Sequence, residues 1–169
     1  MRNFHVNMNG WNDIGQHFTV FPDGVIVTGR SLNSDPACIK GANKGAVCVE
    51  ILGNFDIGGD EMTVEQHDSV VSMFSTLCKH FNIPIDTDHI LYHHWYDIFT
   101  GKRTNGSGNT KTCPGTNFFG GNTVEAATGN FIKKVLNHSL PDIVIDTTPT
   151  DLSDTTVDMG IHPIHHQTA

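Results

Sequence analysis

One amphipathic stretch constrains this chain more than any other feature. Between Thr63 and Phe81, the residues Val64, Val70, Val71, Phe74, Leu77, Cys78 and Phe81 recur on one face of a 3.6-residue period. That spacing predicts a helix that has to lay its apolar stripe against a partner. Thr63 and Gln66 have capping-box spacing at its start, and Asn82 and Pro84 end it. Short β-branched runs supply the partner. Gln16 to Phe21 alternates, Pro22-Asp23-Gly24 turns the chain, and Val25 to Thr28 runs back, which reads as a β-hairpin. Ala46 to Leu52, bounded by Gly45 and Gly53, reads as a buried central strand, and Ile90 to Tyr92 as a further short strand. A last helix is expected from about Thr123 to Asn137. Strands alternating with helices predict an α/β domain.

The 169 residues leave room for one domain, over 1–140, and a tail or linker over 141–169. Net charge is −8, and all five charged residues after Leu140 are acids: Asp142, Asp146, Asp151, Asp154 and Asp158. The acidity therefore gathers in the tail, and no basic stripe is present for a phosphate backbone, which argues against nucleic acid as a partner. No apolar run approaches ~18 residues, so no membrane span is expected. Met1 to Gly10 has no leader-peptide pattern. Cys38, Cys48, Cys78 and Cys113 show no paired spacing, so they read mainly as buried thiols acting as small hydrophobes, and a disulfide framework is not expected. The stretch from Gly101 to Asn109 is a surface loop whose glycines lack the order of a phosphate-binding loop.

Chemistry gathers in two places, Tyr92-His93-His94-Trp95 and Lys111-Thr112-Cys113-Pro114-Gly115. Imidazole nitrogen and thiolate sulfur suit zinc. The spacing is equally compatible with a polar strand end that packs one imidazole on Trp95.

A longer set of blocks bears on the choice. Gly10-Trp11-Asn12-Asp13-Ile14-Gly15-Gln16-His17-Phe18 is followed by Pro22-Asp23-Gly24, by Thr28-Gly29-Arg30 and by Gly53-Asn54-Phe55-Asp56. His93 and the Lys111 to Gly115 block complete the series. In this order they resemble the type 2 N-acetylmuramoyl-L-alanine amidases, relatives of phage lysozyme-amidases and animal peptidoglycan recognition proteins. The resemblance runs from about His5 to Phe119, and its wording is closer to bacterial or phage members than to animal ones.

The resemblance implies a mixed β-sheet flanked by helices, with zinc in a groove above it. The activity would be cleavage between N-acetylmuramic acid and L-alanine in peptidoglycan. His93 and Cys113 would be zinc ligands, Lys111 a cation for the tetrahedral intermediate, and Glu50 the general base. Zinc would lower the pKa of its water and polarise the amide. A carboxylate could take the proton, and a cation could stabilise the oxyanion. Arg30, Asn54 and Trp95 are expected to line the groove. Gln16 stands where many relatives carry tyrosine, and it could hold a water or a substrate carbonyl but not donate a phenolic proton. The family's third zinc ligand lies on an opening strand with a His-His-Thr-like motif, expected some tens of residues before His5, so the zinc site of this chain is expected to be incomplete. His5, His17 and the His165-His166 pair are the places to look for a substitute. Without that strand, an exposed sheet edge through which copies could associate is also expected. A peptidoglycan-binding module that has lost catalysis is the competing reading. Location is left open between a cytoplasmic phage-type lysin and export directed by an upstream segment.

Overall fold

The structure, a computed structural model, describes residues 4–8, 10 and 12–138. The expected tail over 141–169, with His165 and His166, lies outside the described residues, as do the side chain of His5 and all of Trp11. Three short strands form the sheet: β1 (Phe18–Val20), β2 (Ile26–Thr28) and β3 (Val49–Ile51). Their order is β2-β1-β3, with β1 antiparallel to β2 and parallel to β3. The sheet is therefore mixed, and helices pack on it, as an α/β chain requires.

The hairpin forms where its turn residues predict it, with Phe18 opposite Thr28 and Val20 opposite Ile26. Helix α1 spans Val64–His80. The Thr63 hydroxyl accepts from the Gln66 N–H at 3.1 Å and donates to the Pro22 carbonyl, which ties the helix start to the hairpin turn. Only half of the expected capping box is made. The Gln66 side chain turns inward and donates to Val20 O at 3.3 Å and Leu52 O at 2.9 Å, clamping α1 onto β1 and the end of β3. The helix ends at Asn82 in a left-handed conformation (φ 52°), where the Ile83 N–H returns to Cys78 O.

A second helical segment starts at Thr123, whose hydroxyl accepts from Ala126 N. It runs as α2 (Val124–Ala127), a π turn (Thr128–Ile132) and α3 (Lys133–Leu136). Val20, Val70, Val71, Tyr92, Trp95, Phe118, Phe131 and Val135 meet in the main core between α1, β1 and this segment. A smaller cluster of Phe18, Met73 and Leu77 packs with Leu32 and Val47.

Four expectations need correction. The central strand is β1, all three of whose residues are buried, and β3 is half-exposed at an edge. Among the described residues no strand pairs with the far edge of β3. Ile90 and Tyr92 are buried, but they form no strand. Local bonds take their backbone instead, from Ile90 N to Asp86 O and from Trp95 N to Tyr92 O, and a 3-10 turn follows over His93–Trp95. A strand forms only where its backbone bonds to a sheet edge, and here local partners take those groups instead. On α1 the apolar stripe overreaches at both ends: Val64 is 72 % exposed and Phe81 is 41 % exposed. Finally, Cys38 and Cys48 form a disulfide, and only Cys78 and Cys113 are free. The pairing depends on the fold bringing the loop after Arg30 back alongside the approach to β3, which no sequence spacing announces.

The free thiol count should therefore be two. Thiol titration of the denatured, unreduced protein checks this. Reducing Cys38–Cys48 releases a loop of about eleven residues and should cost ~2–3 kcal/mol in the chain-entropy account. That corresponds to a Tm lowered by roughly 5–10 °C for a domain of this size. Cys78 is buried on α1, and burial together with the nearby Asp86 charge pushes its pKa up to about 11. It should resist iodoacetamide at pH 8.5 in the folded protein and react on unfolding. Rapid native-state labelling of Cys78, read by peptide mass, would contradict its placement.

Candidate active site

The Lys111 cation lies within electrostatic reach of Glu50, His93 and Cys113, which ties together three segments of the chain near the edge of the sheet. Glu50 stands at the middle of β3, His93 opens the 3-10 turn, and Lys111 and Cys113 lie on the irregular stretch that follows. Their charges act on one another. Glu50 is exposed on one side, but protein crowds its carboxyl; this raises its pKa, and the Lys111 cation partly opposes the rise. His93 is lowered to about 4, first by burial and then by Lys111. It is therefore a neutral imidazole at neutral pH. Among the described residues its ring makes no hydrogen bond, so both nitrogens are open to a new partner.

Cys113 is likewise open to solvent on one side and crowded on the other. Desolvation first, then the charges of Glu50 and Asp56, push its pKa up to about 12, against the pull of Lys111. Without a strong cation the sulfur stays a thiol, and a thiol is a poor nucleophile and a poor ligand. A metal ion would invert that balance.

The neighbouring histidine has a different task. The His94 ring donates from Nδ1 to Lys111 O at 2.7 Å, since a carbonyl can only accept. Its Nε2 lies against Gly106, where any Cβ would collide with it. Sequence reasoning left one imidazole free to pack on Trp95 and missed this bond. A histidine next to a chemical histidine is the only signal that could have pointed to it.

Of the residues expected to line a groove, two are buried and two are partly exposed. Trp95 has no exposed surface; its indole donates to Asn122 O at 2.7 Å and stacks on Tyr92. Gln16 is also buried and donates to the Thr19 hydroxyl at 3.1 Å. Neither is open to a ligand, because both are consumed in packing the fold. Arg30 gives Nε to Ile14 O at 2.8 Å and Nη1 to Asp35 O at 2.7 Å, which spends its guanidinium on two loops. Asn54 accepts from Asp56 N at 3.2 Å and shapes the loop after β3.

His17 is not available as a third zinc donor. Its Nδ1 accepts from Cys48 N at 3.0 Å and its Nε2 bonds Ser34 O at 2.9 Å, so both nitrogens are used inside the fold. Among the described residues no three His, Cys, Asp or Glu side chains come together as a metal ion requires. His93 and Cys113 have the right donor chemistry but do not by themselves complete a catalytic zinc site, which takes three protein ligands.

The profile of the N-acetylmuramoyl-L-alanine amidase family matches residues 2–116, which includes all four of these side chains. The chain belongs to that family. Peptidoglycan-recognition protein LB of Drosophila melanogaster is 38% identical over 55 residues, which is 32% of this chain and 24% of that protein. The X-ray structure of Apis mellifera PGRP-SA is 26% identical, with a TM-score of 0.42 over 48% of this chain and 47% of that one. The matched segments thus span less than half the length of either relative. The amidase-family chain also has no helix, among its described residues, long and apolar enough to cross a membrane.

His17→Leu should leave the metal content of the purified amidase-family chain unchanged while destabilising it by ~1–3 kcal/mol, because Cys48 N–H and Ser34 C=O lose their partner. Elemental analysis and thermal melting check the two halves. Loss of metal at unchanged stability would show His17 to be a ligand.

Proposed function

We propose that this chain hydrolyses the amide bond between N-acetylmuramic acid and L-alanine in peptidoglycan, as a zinc amidase whose third metal ligand comes from outside the described residues. The observation that carries this reading is that the Lys111 cation acts on Glu50, His93 and Cys113, residues that lie 18 or more positions apart except for Lys111 and Cys113. Family membership supports the same reaction class. The name of the Drosophila melanogaster relative supports peptidoglycan as the ligand class.

The roles follow from the chemistry of these side chains. Glu50, raised by its crowded surroundings, can accept a proton from water attacking the amide carbon and return it to the leaving nitrogen. Lys111 supplies a fixed positive charge for the developing oxyanion. His93, neutral and unbonded, and Cys113, an exposed free thiol, are the two metal donors. Two donors do not hold catalytic zinc well, so no step is assigned to the metal. The Cys38–Cys48 disulfide supports action in an oxidising space outside the cytosol.

The second reading is a module that binds muramyl peptide without cutting it. It is favoured by the presence of only two donors among the described residues. Zinc stoichiometry and release of stem peptide from purified peptidoglycan, measured on the same preparation, separate the two readings. Glu50→Gln should keep binding and metal content and lower turnover ~100-fold or more, the usual scale for removing a general base. Lys111→Ala should lower turnover with little change in metal, and Cys113→Ala should remove the metal. If Glu50→Gln retained most of the rate, Glu50 would not be the base. Binding without turnover in the zinc-loaded wild type would establish the second reading, and retention on DNA in place of peptidoglycan would end both.

A further inference from the structure

The carbonyl groups of Lys111, Thr112 and Cys113 each meet their own donor. His94 Nδ1 bonds Lys111 O at 2.7 Å, Asn122 Nδ2 bonds Thr112 O at 2.8 Å beside the Gly115 N–H at the same distance, and the His94 backbone N–H bonds Cys113 O at 2.8 Å. The three residues that receive these bonds are half-buried or exposed. Water could satisfy such carbonyls, so desolvation alone does not demand three protein donors. What water cannot do is fix their direction.

We propose that Asn122 and His94 are positioning residues, which aim the Lys111 ammonium and the Cys113 sulfur at the space between Glu50 and His93 before any ligand arrives. Both donors are anchored in the core. Asn122 is buried, and its own carbonyl accepts the Trp95 indole N–H at 2.7 Å. His94 immediately precedes Trp95, so the two arms of the clamp converge on one immobile ring. Asp56 closes the outer side. It accepts from the Thr112 hydroxyl and from Thr116 N, each at 2.9 Å, and the second of these bonds is the main reason its carboxylate lies below the usual range. Gly115 completes the seat, since a Cβ there would run into the Phe55 backbone. No helix or strand lies between Arg103 and Asn117, so these side-chain bonds take over the task a ladder performs elsewhere. The link to turnover rests on the amidase reading above; the clamp itself rests on geometry.

Asn122→Leu keeps approximate volume and removes the side-chain donor to Thr112 O, leaving only the local Gly115 N–H bond. Nitrogen–proton NMR spectra of the full-length chain and this variant provide the test. The expected result is displaced or broadened Lys111, Thr112 and Cys113 amides and loss of the His94 Nδ1–H signal. The Trp95 indole signal and the α1 amides should hold their positions, which a general loss of structure would not allow. Should Asn122→Leu fail to fold, Asn122→Ser, too short to reach Thr112 O, replaces it with the same expectation. Unchanged resonances for residues 111–113 in the folded variant would overturn the proposal. In zinc-loaded protein that hydrolyses muramyl peptide, kcat should fall at least tenfold with KM within twofold. A raised KM at unchanged kcat would also overturn it. A wild type without turnover would count against the amidase reading alone, because the spectra still decide the clamp.

Discussion

Trp95 has no exposed surface, and the long irregular stretch between α1 and α2 hangs on it. More than forty residues run from the end of α1 to the start of α2 with only two short 3-10 turns among them. So long a connection inside a compact domain needs a reason to hold one shape. Tyr92 stacks on the indole at 4.6 Å between centroids, and Arg103 lies over its ring at 5.3 Å. The backbone N–H groups of Thr104 and Asn105 both return to Trp95 O, and the indole N–H holds Asn122. One buried side chain thus organises the stretch before it, the loop over it and the segment leading to α2.

The electrostatics at the sheet edge follow from what surrounds this anchor. Crowding without full enclosure disfavours charge on each titratable group: it raises the Glu50 carboxyl and the Cys113 thiol and lowers His93. The Lys111 cation acts on all three. The imidazole is neutral and the thiol protonated, and the same crowding raises the Glu50 carboxyl. A bound cation or a developing negative charge would complete such an arrangement. The second, outer layer of polar contacts from Asp56, His94 and Asn122 keeps these groups from relaxing toward solvent.

Much of the scaffold was legible because local chemistry and global packing agree there. The Pro22-Asp23-Gly24 turn, the Thr63 cap and the Asn82 stop each depend on a few neighbouring residues, and each forms as read. The helix after Thr123 also forms, with a π turn inside it that no period in the sequence announces. The strand expected over Ile90 to Tyr92 failed for a non-local reason. Its composition is right for a strand, but its backbone groups bond locally and pair with no sheet edge. Gln66 shows the same limit in a smaller way, since its capping partner was readable while its bonds to Val20 O and Leu52 O were not.

The sequence by itself determined the residue types at the site and the family to which they belong. Ordered blocks carry that information whether or not their members touch. Only the tertiary structure decided what each side chain has left to offer. Trp95, Gln16 and Arg30 were plausible groove residues by position, yet the fold spends their polar atoms on internal hydrogen bonds and buries two of the three. His17 is withdrawn in the same way, with both nitrogens bonded inside the fold. His93 and His94 are adjacent and chemically identical in sequence, and hydrogen bonding alone separates a free imidazole from a structural one. The pairing of Cys38 with Cys48 likewise required two loops to meet. A hydrogen bond or a disulfide depends on separations of a few ångströms between residues distant in the chain, and those distances exist only once the chain has packed.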